Sequence, residues 1–342
     1  MNFLSDTTAP AHHRLIEALA RANEGFAPSY GADAVSARVK QKLCEVFETD
    51  LEVVLAVSGT ASNALALSTL CPGDAAIFCH DEAHIHRDER GAPEMFTGGA
   101  KLLPLPGEHA VIDADALAAG LSQWPQDFVH AAPPRVLSLS QLNEAGCAYS
   151  PDQLAERIDL AKAAGLFVHM DGARFANAIA HLDAHPADIT WRAGVDVLCL
   201  GATKNAAMAA EAVILFPSVM DRLQALQARQ KRSGHMAPKM RYVAAQLDAW
   251  LGGGLWLDLA RQANAAGARV AETLLRAPGA ALAHPVHGNE VFIRLPEAAI
   301  ARLRDAGAGF YAWPDGSARF VASWCTSDDE INALGAALAE AA

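Results

Sequence analysis

Apolar residues in this chain come in short blocks separated by longer patterned stretches. The blocks "LEVVLAVSG" (51–59), "AAIFCH" (75–80), "KLLPLP" (101–106), "PRVLSLS" (134–140), "LFVHMDGA" (166–173), "VDVLCLGA" (195–202) and "EAVILFP" (211–217) are each strand-length. Short apolar runs closed by glycine or proline predict buried strands. Between them, "TASNALALSTL" carries apolar residues at helical spacing. "SPDQLAERIDLAKAAG" (150–165) opens on a serine that can cap a helix and closes on a glycine that can end one. Strands spaced by helices predict βαβ units and a mainly parallel sheet, so the fold class is α/β.

Past residue 240 the pattern changes. "MRYVAAQLDAWLGGGLWLDLARQANAAGARVAETLLRAPG" reads as helix, broken by glycines at 252–254. "NEVFIRLP", "GAGFYAWP" and "SARFVASWC" then read as three strands of a smaller sheet. The closing "SDDEINALGAALAEAA" reads as a helix capped by Ser327, with acids in its first turn. The expected organisation is an N-terminal segment (1–25) that packs with the small domain, a large α/β domain (26–245) and a small C-terminal α+β domain (246–342).

Composition narrows the function. With 342 residues, 52% of them hydrophobic, the chain can bury a substantial core. Its net charge of -12 argues against nucleic acid and anionic membranes as partners. The one basic cluster, "RQKRSGHMAPKMR" (229–241), suits a single phosphate group rather than a duplex. Six scattered cysteines without a CxxC predict neither a zinc site nor a disulfide framework, and hence a reducing compartment. The first residues show no basic region followed by an apolar core, and no apolar run reaches membrane-spanning length. The expectation is a cytoplasmic protein.

Three places carry chemistry. In "CLGATKNAAMAAEAVILF" (199–216), Lys204 stands among small and apolar residues, with no further charge before Glu211. An unpaired ammonium is costly to bury, so such a lysine either reaches back to the surface or is used chemically. In "HMDGARF" (169–175), Asp171 ends an apolar strand, where open α/β sheets place ligands, and Arg174 follows. In "VSGTASN" (57–63), the backbone amides with Ser58, Gly59 and Thr60 can cradle a phosphate where a strand turns into a helix. A phosphate cup, an aspartate and a lysine at successive strand ends are what pyridoxal phosphate chemistry requires. The lysine attaches to the aldehyde, the aspartate keeps the ring nitrogen protonated, and the cup holds the phosphate.

These residues, together with "SDTTAP", "YGADAVSARVKQKLCEVFETD", "EAHIHRDERGAPEMF", "GVDVLCLGATKN" and "ARFVASWCT", resemble the fold-type I pyridoxal phosphate enzymes. More narrowly, they resemble the low-specificity L-threonine aldolases of the β-eliminating lyase group. The resemblance runs from residue 5 to residue 326 in the family's order. It implies a seven-stranded-type sheet, Lys204 as the Schiff-base lysine and Asp171 as the partner of the pyridinium nitrogen. Ser58, Gly59 and Thr60 match the phosphate cup, and Lys231 matches a second phosphate contact that a neighbouring subunit could supply. His84 matches the histidine that stacks on the cofactor ring, and is preferred over His86 by its distance from "GAPE". Ser5, Tyr30, Arg174 and Arg319 resemble groups around the substrate, with Arg174 beside the cofactor as well. Arginine's planar fork suits a carboxylate. His130 matches a second active-site histidine, so the base can be His84, His130 or a water held by a histidine.

The implied reaction is retro-aldol cleavage of L-threonine or L-allo-threonine to glycine and an aldehyde. A phenylserine-type aldolase, a β-lyase or an aminotransferase are the alternatives. The implied assembly is a homo-oligomer, a dimer of dimers, acting on an amino acid and using no metal. Two departures from relatives stand out: Ala206 replaces a glycine after the lysine–asparagine pair, and "SLSQLNEAGCAY" stands where one common form reads "ENTHNG".

Overall fold

The computed structural model describes residues 1–313 and 315–339. Seven strands form the main sheet: β1 (Glu52–Ala56), β2 (Ala76–His80), β3 (Lys101–Leu105), β4 (Pro134–Ser140), β5 (Phe167–Gly172), β6 (Val197–Gly201) and β7 (Glu211–Leu215). They follow the order β1-β7-β6-β5-β4-β2-β3. All seven coincide with the apolar blocks of the sequence. β2, β6 and β7 are buried along their whole length, as strands covered on both faces must be.

β7 alone runs against the rest, pairing antiparallel with both β1 and β6. The reason is the short connection, residues 202–210, which cannot hold the crossover that a parallel neighbour needs. β1 therefore runs in the same direction as β6. The C-terminal ends of β1, β4, β5 and β6 share one edge of the sheet, with Ala56 and Gly201 opposite Glu211 and with Asp171 paired to Ser140.

The first helices are α1 (His13–Ala22) and α2 (Ala34–Phe47), which pack on helix Arg241–Leu251, then α3 (Gly59–Leu70), which follows β1, and the short α4 (His84–Arg87), which follows β2. α3 is buried from Ala61 to Leu70, so its first turn is the only part that meets solvent. Ser150 caps helix Pro151–Ala163 as expected, and Gln153 completes a capping box with it.

The second sheet has four strands, β8 (Ala281–Leu282), β9 (Glu290–Arg294), β10 (Tyr311–Ala312) and β11 (Ala318–Val321), in the antiparallel order β10-β11-β9-β8. β8 is a strand the sequence does not announce, because two exposed residues carry no periodicity. The expected strand "GAGFYAWP" shrinks to Tyr311–Ala312, and its Pro314 lies outside the described residues, as do residues 340–342 of the stretch expected to close the chain as a helix. The N-terminal segment joins this sheet: the Val321 N–H donates to the Phe3 carbonyl at 2.9 Å, and Phe3 packs against Phe320.

The long helical stretch breaks where its glycines stand. Helix Arg241–Leu251 runs unbroken through position 245, then Gly253 and Gly254 take left-handed backbone angles, and helix Leu255–Leu274 begins. That last helix packs on helix Phe175–Leu182 beside the main sheet, and on β9 and helix Asp328–Ala339 of the second layer. Among the described residues no helix is long and apolar enough to cross a membrane, and all six cysteines are free.

Candidate active site

The shared edge of the main sheet collects most of the residues singled out from the sequence. At the start of α3, the Ser58 hydroxyl accepts the Ala61 N–H at 3.3 Å. The first N–H groups of a helix have no partner within it, and the aligned peptide dipoles favour an anion there. A Cβ added at Gly59 would meet nothing within 4 Å, so the space above this turn is open.

Asp171 closes β5 and is buried. One carboxylate oxygen accepts the Ala173 N–H at 2.9 Å and the other accepts the Asn63 amide at 2.8 Å. Burial pushes this carboxyl up, but His84, the Ala173 N–H, Lys204 and the Asn63 amide together hold it below its ordinary value. The Asn63 side chain also donates to Glu89 Oε1 at 2.9 Å, and the same oxygen receives His84 Nδ1 at 2.8 Å. A carboxylate oxygen accepts here, so Nδ1 is the donor and Nε2 takes no part in this contact. The hydrogen bond to Glu89 raises the pKa of His84. His84, not the exposed His86, belongs to this network, as the sequence suggested.

Two members of the network were not foreseen. "DERGAPE" reads as a charged surface loop, yet the Glu89 side chain has no exposure at all. Asn63 was only part of a quoted motif. Its burial on α3, opposite Asp171, is what gives it a role, and no local pattern announces that.

Lys204 lies half-buried in a single turn, Thr203–Asn205, directly after β6. The turn is clamped from outside: the Asn205 amide donates to the Trp256 carbonyl at 2.8 Å, and the Trp250 indole donates to the Asn205 carbonyl at 3.0 Å. Arg174 and then burial lower the pKa of Lys204. That favours the neutral amine, the form that attacks a carbonyl. Beside it, burial pushes Glu211 up to about 7. Glycine is required at 201, since a Cβ there would lie 2.8 Å from the Ala173 backbone and 2.9 Å from the Glu211 carboxylate. Ala206, the departure from relatives, holds a left-handed φ of 77° that glycine adopts more readily.

The substrate-side residues already have partners within the chain. Arg174 is buried and already paired. Its Nε and Nη2 donate to Asp6 at 3.1 and 2.6 Å, and Nη1 lies 3.0 Å from Glu290. Arg319 is freer: Nη2 donates to the Leu4 carbonyl at 3.3 Å, Nη1 is 3.9 Å from Glu290, and Nε is buried without a partner. Ser5, next to Asp6, spends its hydroxyl capping the Thr7 N–H at 3.3 Å. Tyr30 and Lys231 form an exposed pair, with the ammonium 4.5 Å from the ring centre. Gln230 ties that helix end to the Leu55 carbonyl of β1 at 2.7 Å.

His130 is not brought to this site within the chain. It is exposed, beside Phe128, in the loop before β4, whereas Asp171 pairs with Ser140 at the far end of that strand. A histidine at the N-terminal end of a parallel strand faces the opposite edge of the sheet.

The residues present fit pyridoxal phosphate. Lys204 offers an amine of lowered pKa, Asp171 a buried anion for a ring nitrogen, His84 an aromatic face, and the open first turn of α3 a place for phosphate. Buried Asn63 Oδ1 and Glu89 Oε2 have no hydrogen-bond partner among the described residues, so polar capacity remains at the site. No group of three or more metal-ligating side chains occurs among the described residues.

Known proteins resemble the chain over nearly its whole length. The chain is 40% identical over 333 residues to a low specificity L-threonine aldolase of Pseudomonas aeruginosa, covering 97% of this chain and 95% of the relative. It is 38% identical to the enzyme of the same description from a Pseudomonas species, with 98% and 96% covered. The structure of Leishmania major threonine aldolase superposes with a TM-score of 0.92 at 25% identity, covering 99% and 98% of the two chains. At 15% identity, Sphingomonas wittichii serine palmitoyltransferase shares the fold with a TM-score of 0.72, covering 98% of this chain and 86% of its own. The family model described as beta-eliminating lyase matches residues 2–298, which span the cup, the Asp171 network and Lys204 alike, and the chain belongs to that family.

Proposed function

We propose that this protein cleaves L-threonine and related β-hydroxy-α-amino acids to glycine and an aldehyde, using pyridoxal phosphate held by Lys204. The observation that carries the reading is the continuous hydrogen-bonded set Asp171–Asn63–Glu89–His84, on the sheet edge that also holds Lys204. When bound, pyridoxal phosphate would supply the electron sink that cleavage of the Cα–Cβ bond needs. The protein does the rest. Asp171, held anionic, keeps the ring nitrogen protonated. The first turn of α3 receives the phosphate through its N–H groups. Arg319 orients the substrate carboxylate with the N–H donors that Glu290 and Leu4 leave free. His84 Nε2 takes the proton of the β-hydroxyl, and because its partner raises its pKa, activity falls as pH drops through that value.

Arg174 is assigned here to the framework of the site through its pairing with Asp6 and Glu290. Tyr30, Lys231 and His130 are exposed, as are Phe26, Phe128 and Met208. This supports a homo-oligomer in which neighbouring copies cover these residues and complete each other's sites. Light scattering at several protein concentrations tests it, and a monomer throughout refutes it.

The deciding experiment is a product assay. Purified protein with pyridoxal phosphate and L-threonine yields acetaldehyde and glycine in equal amounts. Formation of a keto acid instead, from L-threonine with a second amino-group acceptor, would replace this reading with that of an aminotransferase.

A further inference from the structure

Two carboxylates reach His84 from different parts of the chain. α4 has four residues, and the residue before it, Ala83, has no side chain that can cap it. An uncapped helix start leaves N–H groups without acceptors. Glu144, from the turn that follows β4, supplies one: its Oε1 accepts the His84 backbone N–H at 2.8 Å and the Ser140 hydroxyl at 2.8 Å. Glu89, just after α4, takes the ring instead, accepting from Nδ1 at 2.8 Å. One contact fixes the backbone from which the ring hangs, and the other fixes the ring's rotation and its proton. Both are internal supports, since the Glu89 side chain has no exposure and Glu144 is half-buried. Glu144 also lies in the "SLSQLNEAGCAY" stretch, where this chain departs from a common form of its relatives.

We propose that Glu144 and Glu89 are positioning residues that together clamp His84, so that Nε2 alone, unprotonated, faces the substrate's β-hydroxyl. The proposal deepens the aldolase reading and rests on His84 being the base there. Neither carboxylate needs to touch substrate. The clamp predicts that reach matters at Glu144 and charge matters at Glu89. A glutamine at 144 keeps an acceptor oxygen at the same distance, whereas an aspartate keeps the charge but withdraws it by one methylene. At 89, glutamine keeps the shape but loses the charge that holds the proton on Nδ1.

The test uses the holoenzyme and its variants Glu144→Gln, Glu144→Asp and Glu89→Gln, with His84→Asn to assign the His84 signal. Nitrogen NMR of the histidine-labelled protein reads the ring tautomer directly, with no substrate present. The absorbance of bound cofactor and the melting temperature show that each variant is folded and loaded. In the wild type at alkaline pH, where the ring is neutral, His84 shows a protonated Nδ1 and an unprotonated Nε2. Glu89→Gln moves the proton partly to Nε2. Glu144→Asp lowers kcat for L-threonine by about tenfold to a hundredfold with KM little changed, the scale expected for a reacting group misplaced by about an ångström. Glu144→Gln loses far less than Glu144→Asp. The proposal is overturned if Glu144→Gln is impaired as much as Glu144→Asp, which would make the proton of Glu144 the active element. It is also overturned if Glu89→Gln leaves the tautomer unchanged, or if both Glu144 variants turn over like the wild type. A wild type that does not cleave L-threonine would defeat the proposed function, and the tautomer measurement would still judge the clamp.

Discussion

At the scale of single residues, charge placement decides what each group can do. Asp171 is an anion inside the protein because four neighbours outweigh the cost of burial. Asp171→Asn keeps the shape and removes the charge. Cofactor still binds, while turnover falls by orders of magnitude, because the lost electron sink acts on the transition state. Near-normal turnover would remove Asp171 from its assigned role. Two residues earlier, His169 shows the opposite case. It is fully buried, with Nδ1 2.9 Å from the Ser138 hydroxyl, and burial depresses its pKa from 6.5 to about 4 despite the nearby Asp171. As pH falls below 6.5 the unfolded chain takes up the proton first, so stability is complete above that value and is lost between 6.5 and about 4. Unfolding free energies from urea titrations at about pH 7.5 and about pH 5 should differ by about 2 kcal/mol in the wild type and by clearly less in His169→Asn. An equal pH dependence in both proteins would show that His169 contributes nothing to acid sensitivity.

At the scale of elements, close approach sets the limits. Helix Leu255–Leu274 lies so near the entry to β9 that a Cβ at Gly267 would sit 2.9 Å from both the Asn289 Cα and the Gly288 carbonyl. Gly267→Ala gains about 1 kcal/mol of helix propensity. It also forces backbone apart, and overpacking of this kind costs about 1–3 kcal/mol. The clash involves backbone rather than a mobile side-chain tip, so the net effect is a loss of stability, read as a lower urea midpoint. A higher midpoint would mean that the segment before β9 yields easily. The same scale explains the direction of β7. Its sequence has the Val and Ile content of a buried strand of either sense, and only the shortness of the 202–210 connection makes it antiparallel.

At the scale of the whole molecule, one buried ionic cluster joins three distant stretches. Asp6 comes from the N-terminal segment, Arg174 from the end of the main sheet, and Glu290 and Arg319 from the small sheet. Its least-committed member is Arg319, which has an unpartnered Nε and a guanidinium 4.8 Å from the Trp313 ring centre. If Arg319 grips the substrate carboxylate, Arg319→Ala leaves the bound-cofactor spectrum unchanged. The affinity for L-threonine falls by about 2–5 kcal/mol, the range for truncating one partner of a buried charge pair. Lysine restores little, because a point charge cannot reproduce a planar fork. Spectral titration with glycine and with L-threonine reads this, and coincident curves for variant and wild type would take Arg319 out of the site.

The sequence by itself determined the strands of the main sheet, the glycine break at 252–254, and Lys204, Asp171 and the α3 turn. Each of these is a local signal: an apolar run, a residue with special backbone freedom, or a charged group stranded among small residues. Only the tertiary structure decided which polar residues join them. Glu89 looks like part of a solvated loop, and Glu144 like part of an irregular one, until folding buries the first beneath His84 and brings the second to its backbone. Arg174, expected among the substrate contacts, finds two carboxylates from opposite ends of the chain, and His130 stays exposed in the loop before β4. The physical reason is common to all four. Burial and pairing depend on what distant segments bring within a few ångströms, and spacing along the chain carries no record of that.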